Sequence, residues 1–172
     1  MDRDGLIRYV AEHEKALTRL CLKLCQNLVD AEDLYQETWC RVVSKIHLYD
    51  ESLPFLPWLF AICVNTYRNA HKKAKRRPVA QFDNIEEMEW AIDRAVSSEP
   101  VFNVEHDLIR QIVHGLDEKF RIVIVLHYFS DFSVQELASI IGIPQGTVKS
   151  RLHKARKTIK GRLEEHEEKH IR

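Results

Sequence analysis

The strongest constraint on the fold lies near the end of the chain. There Ser133 and Glu136 form an S-x-x-E capping box at the head of an apolar run, Val134, Leu137, Ile140 and Ile141. In such a box the serine oxygen accepts from the backbone N–H three residues on, and the glutamate accepts from the serine's own N–H, so a helix starts there. Gly142 suits its end, because glycine tolerates the left-handed backbone that stops a helix, and Pro144 sharpens the turn into the next one. At about 100° per residue, Val148, Leu152, Ala155, Ile159 and Leu163 line one side of that next helix. A short capped helix, a glycine turn and a longer helix make a helix-turn-helix.

The longer helix is strongly basic, with seven Lys/Arg and no acid between Gly146 and Leu163. Its side opposite the apolar stripe presents Ser150, His153, Lys154 and Lys157, with Lys149 beside them. A cationic helix alone is often only solvated surface. Behind a capped helix and a tight turn, it occupies the place of a recognition helix in the major groove. Lys149, Ser150, His153 and Lys154 fall in the N-terminal half, which reaches base edges, whereas Arg151 and Arg156 flank the apolar stripe and suit phosphates.

Nearer the start, Leu6, Val10, Leu17, Leu20, Leu24 and Leu28 recur at helical spacing and predict one long helix or two short ones. Asp30 offers an N-cap for a second helix running to about Ile46, with Glu32 and Asp33 in its first turn. Ala31, Tyr35, Trp39, Val42 and Ile46 form its inner side, leaving Asp33, Gln36, Glu37, Cys40 and Ser44 on a polar face. Such a face is usually plain solvated surface and equally suits a basic protein partner; pattern alone leaves both open.

Tyr49 to Pro57 holds two prolines and reads as a loop before a third helix, Trp58 to about Lys75. That helix turns Leu59, Ile62, Cys63, Thr66 and Ala70 inward, and Ala61, Asn65, Arg68 and Lys72 outward, with six cations from Arg68 to Arg77. A basic helix beside exposed Tyr49 and Phe55 suits single-stranded DNA, whose bases lie on rings while phosphates meet Lys and Arg. The alternative is that the aromatics are core, which is expected for Trp58 and open for the two loop residues.

The formal charge of zero averages over three regions. Residues 1–80 hold 13 Lys+Arg against 10 Asp+Glu, residues 81–105 hold 1 against 7, and residues 106–172 hold 12 against 9. Two basic ends and an acidic middle predict two small helical domains, 1–78 and 105–172, joined by an acidic linker at 79–104 in which Trp90, Ile92 and Val96 could form a short helix. The class is all-α, since only five Gly and five Pro disfavour turn-rich sheets and glycine-cradled phosphate sites. Asp107–His114 and Asp117–Phe129 read as helices, although Ile122–Val125 is a β-branched run with strand propensity. Cys21, Cys25, Cys40 and Cys63 lack metal-knuckle spacing and read as small buried hydrophobes, with Cys21 and Cys25 one turn apart as the pair open to metal or oxidation.

No signal-peptide pattern opens the chain, and its longest uncharged stretch, Ser52 to Tyr67, is too short for a membrane span and broken by prolines, so a soluble cytoplasmic protein without membrane insertion is expected. His166, Glu167 and His170 fit H-E-x-x-H, but with no third ligand and no surrounding fold they give no metal or catalytic site. No cofactor and no enzymatic activity are expected.

Three strings, DAEDLYQETWCRVV at 30–43, WLFAICVN at 58–65 and EKFRIVIVLHYFSDFSVQELASIIGIPQGTVKSRLHKARKTI at 118–159, follow the order and spacing of a known family. The chain resembles the extracytoplasmic-function sigma factors of bacterial RNA polymerase, and GTVKSRLHKAR is highly specific for their region 4. The resemblance implies a region 2 domain and a region 4 domain that bind core RNA polymerase at the β′ clamp helices and the β flap and direct it to promoters. It matches Asp33, Gln36 and Glu37 to the D-L-x-Q-E element that meets the clamp helices. Asn65, Arg68 and Lys72, with Tyr49 and Phe55 of the loop, match the surfaces that engage the −10 element and capture an unpaired base. Lys149, Ser150, His153 and Lys154 match the −35 contacts, and Arg151, Arg156 and Lys157, read from the helical faces, complete the expected −35 surface.

An anti-sigma protein, often membrane-anchored in relatives, is implied as a further partner. Two departures stand out: Ala61 replaces an arginine common in relatives, so fewer −10 contacts are expected, and Pro54 and Pro57 leave the captured base undefined. The competing interpretation is a stand-alone helix-turn-helix regulator whose first half senses a ligand or dimerises; it gives the Asp33, Gln36 and Glu37 face no work.

Overall fold

The computed structural model describes residues 3–74 and 104–170. The linker expected over 79–104, its short helix around Trp90 and the cations from Lys73 to Arg77 lie outside the residues whose side chains are described. The chain divides into two compact units, Met1–Glu99 and Pro100–Arg172. Every element among the described residues is helical, in agreement with the all-α expectation.

In the first unit, α1 (Arg3–Leu24), α2 (Leu28–Lys45) and α3 (Phe55–Ala74) pack pairwise on one another. Leu17, Leu20 and Leu24 of α1, Leu34 and Val42 of α2, and Leu59, Phe60 and Val64 of α3 fill the centre. Each such side chain stabilises the unit by roughly 1.5–3 kcal/mol. The two buried hydroxyls of this core are satisfied locally: Thr38 Oγ1 donates to Leu34 O at 2.6 Å and Thr66 Oγ1 to Ile62 O at 2.8 Å. Cys21 and Cys63 meet across α1 and α3 with sulfurs 3.9 Å apart. Their hydrogen bond, and then burial, push the Cys21 thiol well above its ordinary value, so it is a protonated packing group. Cys25 is buried too, but Cys40, expected inside with the others, is exposed on the outer face of α2.

Three local expectations are corrected. The N-cap of α2 is Asn27, not Asp30: Asn27 has extended backbone, its Oδ1 accepts from Asp30 N at 2.8 Å, and its Nδ2 donates to Asp30 Oδ2 at 2.9 Å. The third helix begins at Phe55, so Pro57 lies within its first turn, where a missing N–H leaves no bond unmade. Ala70, assigned to the inner arc, is exposed.

In the second unit, α4 (Val104–His114) and α5 (Glu118–Ile124) are followed by a π-helical turn (Val125–Phe129), α6 (Val134–Ile141) and α7 (Gln145–His170). The β-branched run is helical and buried from Ile122 through Leu126, as a helix apolar all round must be. Arg121 is buried with it, and its Nη2 donates to the carbonyls of His114 and Leu116 just past the end of α4. A guanidinium there satisfies terminal carbonyls and complements the negative end of the helix dipole. Arg162 of α7 adds a bond to Ile112 O at 3.4 Å.

The capping box forms as expected, with Ser133 Oγ accepting from Glu136 N at 3.2 Å and Glu136 Oε2 accepting from Ser133 N at 2.8 Å. Gly142, at φ 71°, gives the left-handed stop. α7 then runs 26 residues, with Val148, Leu152 and Ala155 buried and Ile159 and Leu163 half-buried.

Candidate nucleic-acid and polymerase interfaces

The basic face of α7 is built from its stripe outward. Because Val148, Leu152 and Ala155 are anchored in the core, Lys149, Ser150, His153, Lys154, Arg156 and Lys157 are all exposed, and Arg151 is half-buried at the margin. Ser150 Oγ donates to Thr147 O at 3.0 Å. Arg156 Nη1 lies 3.5 Å from the Tyr128 hydroxyl, which the π turn brings to the surface. A bulge of this kind shifts the following side chains around the helix, leaving Tyr128 and Phe129 exposed. The first acids of α7 come after Leu163, so no carboxylate interrupts its basic face before that point.

On α2 the polar face is exposed at Asp33, Gln36, Glu37, Cys40 and Ser44, while Ala31, Leu34, Thr38 and Val42 are buried. Leu34 and Thr38 were missed as core, whereas Tyr35, Trp39 and Ile46 are only half-buried. Glu37 Oε1 accepts from Arg41 Nε at 2.7 Å, an exposed pair one turn apart that water screens. Exposed valines, Val29 and Val43, close the two ends of the face.

On α3, Asn65 and Lys72 are exposed and Arg68 and Ala61 half-buried. The loop before it differs from expectation. Tyr49 and Phe55 are buried, at 9% and 4% exposure, so neither ring is a free stacking platform. They close on one another edge to face at 5.2 Å, and Trp58 packs on both. Between them Asp50, Glu51, Ser52, Leu53 and Pro54 are exposed. The excursion is held by Leu53 N donating to Asp50 O at 3.0 Å, by the Tyr49 hydroxyl donating to Leu53 O, and by Asp50 Oδ1 accepting from Ser52 N and Oγ. Those last bonds hold the Asp50 carboxyl below its ordinary value. Burial, then the charges and hydroxyl of Tyr9, Asp50 and Glu51, raise Tyr49, which keeps its proton for the Leu53 carbonyl.

Comparison with known proteins decides the family. The Sigma-70 region 2 family model matches residues 9–77, and the Sigma-70, region 4 model matches residues 106–159. The ECF RNA polymerase sigma factor SigM of Bacillus subtilis is 31% identical over 146 residues, covering 83% of this chain and 85% of SigM. The chain belongs to the ECF RNA polymerase sigma factors.

SigW of Bacillus subtilis, another ECF sigma factor, is 29% identical over 169 residues, or 94% of this chain and 90% of SigW. The fold is that of the sigma factor RpoE from Bartonella quintana, solved with the anti-sigma factor NepR, at a TM-score of 0.73 and 22% identity over 93% of this chain and 97% of that one. CnrH, solved with the cytosolic domain of CnrY, gives 0.68 and 23% over 95% and 90%. α1, α2 and α3 of the sigma factor thus belong to region 2, and the capped pair α6 and α7 to region 4. No helix among its described residues is long and apolar enough to cross a membrane.

Proposed function

We propose that this sigma factor divides its work among the three surfaces. Asp33, Gln36 and Glu37 of α2 engage the basic β′ clamp helices of core polymerase, with region 4 reaching the β flap. Asn65, Arg68 and Lys72 of α3 meet the melted −10 strand, beside the loop that Tyr49 and Phe55 anchor. On α7, Lys149, Ser150, His153 and Lys154 read the −35 duplex, with Arg151, Arg156 and Lys157 on phosphates. The domains span 1–78 and 105–172, and the segment between tethers them. The protein acts in the cytoplasm without cofactor or catalysis of its own, held by an anti-sigma protein of the kind seen with RpoE and CnrH.

The observation that carries this assignment is the pairing of two exposed faces of opposite character on one chain. One is a carboxylate and amide face on region 2, and the other an acid-free cationic face on region 4. A stand-alone regulator needs only the second. The burial of Tyr49 and Phe55 changes their part: they shape the loop, and its exposed residues, 50–54, meet the base. The test is co-elution with core polymerase. Replacing Asp33 and Glu37 together by alanine is expected to abolish it while helical circular dichroism stays unchanged; retained co-elution would remove the clamp assignment.

A further inference from the structure

The first helix has no part in any surface described so far, yet it carries two rings on the face that meets the loop. Tyr9 and His13 are one turn apart and share that face. The Phe55 ring lies 4.4 Å from Tyr9 at an interplanar angle of 25° and 5.2 Å from His13 at 23°, both stacked. Tyr9 also meets Tyr49 edge to face, at 6.1 Å and 81°. The rings that open and close the loop therefore rest on α1 as much as on each other. Between Tyr49 and Phe55 no side chain is buried, so the packing that fixes the ends of residues 50–54 comes from these two anchors, beside the turn bonds within the loop.

We propose that Tyr9 and His13 are positioning residues for the base-reading loop: stacked under Phe55, with Tyr9 against Tyr49, they hold residues 50–54 in the shape that discriminates the unpaired −10 base. This rests on the assignment of that loop to −10 recognition. The physical basis is preorganisation. A loop ordered before the base arrives loses less freedom on binding, and it holds its shape against the wrong base as well as the right one. Tyr9 and His13 are half-buried at the side of the unit, and each stacks on a residue that itself ends the loop. Loosening them releases the loop ends without opening the central core of Leu17, Leu59 and Val64.

The test uses holoenzyme reconstituted from core polymerase and the full chain, with initiation measured on promoters that differ only in the base at the captured −10 position. The readout is the ratio between the best and worst base. Tyr9→Leu and His13→Leu are each expected to compress that ratio by about three- to tenfold, the strength of one aromatic pair. Tyr9→Phe and His13→Phe are expected to retain it, while −35 preference and core affinity stay at wild-type values throughout. An unchanged ratio in both leucine variants overturns the proposal and leaves the −10 assignment standing. Equal loss of −10 preference, −35 preference and core affinity overturns it as well, since general unfolding is then the cause. A wild-type holoenzyme indifferent to every base in the −10 element would remove the loop assignment and the proposal with it.

Discussion

Lys154 and Arg156 lie two positions apart on α7 and are both exposed, but their surroundings differ in a way that separates the roles proposed for them. The Arg156 guanidinium rests near the Tyr128 hydroxyl at the edge of the packed stripe, a position that suits a phosphate to either side of the groove. Lys154 lies on the outward face, flanked one turn away on either side by the exposed Ser150 and Lys157. Replacing Lys154 by alanine is therefore expected to cost about 1–3 kcal/mol on the favoured −35 sequence and much less on sequences altered at one or two positions. Arg156→Ala is expected to weaken all sequences alike and to lower the slope of log affinity against log salt by about one. Titration of each variant against a small set of −35 duplexes at several salt concentrations separates the two; equal losses for Lys154→Ala across the set would make it a phosphate anchor as well.

Among the elements, what could be read in advance follows from how local the governing interaction is. The capping box, Gly142 and the stripe of α7 were legible because each is fixed by residues within one or two turns. The face of Asp33, Gln36 and Glu37 was legible for the same reason, since helical periodicity alone turns it outward. Asn27 was missed as a cap because Asp30 offers the same chemistry three residues on, and only the backbone between α1 and α2 decides which one is used. Burial of Tyr49 and Phe55 was not legible, for it depends on Tyr9 and His13, some forty residues earlier in the chain. Arg121 gave no signal, because an arginine inside an apolar run looks like an exposed gap until the carbonyls past α4 come beside it.

The capping box also makes a prediction about pH. Bonds from Ser133, side chain and then backbone, hold the Glu136 carboxyl below its ordinary value of 4.5. Since the folded value is the lower one, the stabilisation is complete above the unfolded value and is lost as pH falls through the folded one. Thermal unfolding of the full chain between about pH 6 and about pH 3 should show a flatter acid decline in region 4 for Glu136→Gln than for wild type. Ser133→Ala should lower region 4 stability by about 1 kcal/mol already at neutral pH. An acid decline identical in wild type and Glu136→Gln would show that the box does not contribute to it.

For the whole molecule, the two units succeed on one promoter only if binding by one raises the local concentration of the other. On the proposed reading, a tether as long as 79–104 would supply that without needing a contact of its own. For a flexible connection the closure cost grows slowly, so each doubling of length costs only about 0.6 kcal/mol, or about threefold in affinity. Doubling this segment with a Gly/Ser insert is therefore expected to reduce holoenzyme affinity for a promoter carrying both elements by about threefold. Affinity for a promoter reduced to its −35 element should not change. If the segment instead lies in a channel of the polymerase and its acids contact it, the insert would leave those contacts in place. Reversing the acids at Asp83, Glu86, Glu87 and Glu89 to lysine would then weaken core binding itself. The tether account predicts unchanged core affinity for that charge-reversed chain, so co-elution with core polymerase, before any DNA is added, decides between a passive connection and a third binding surface.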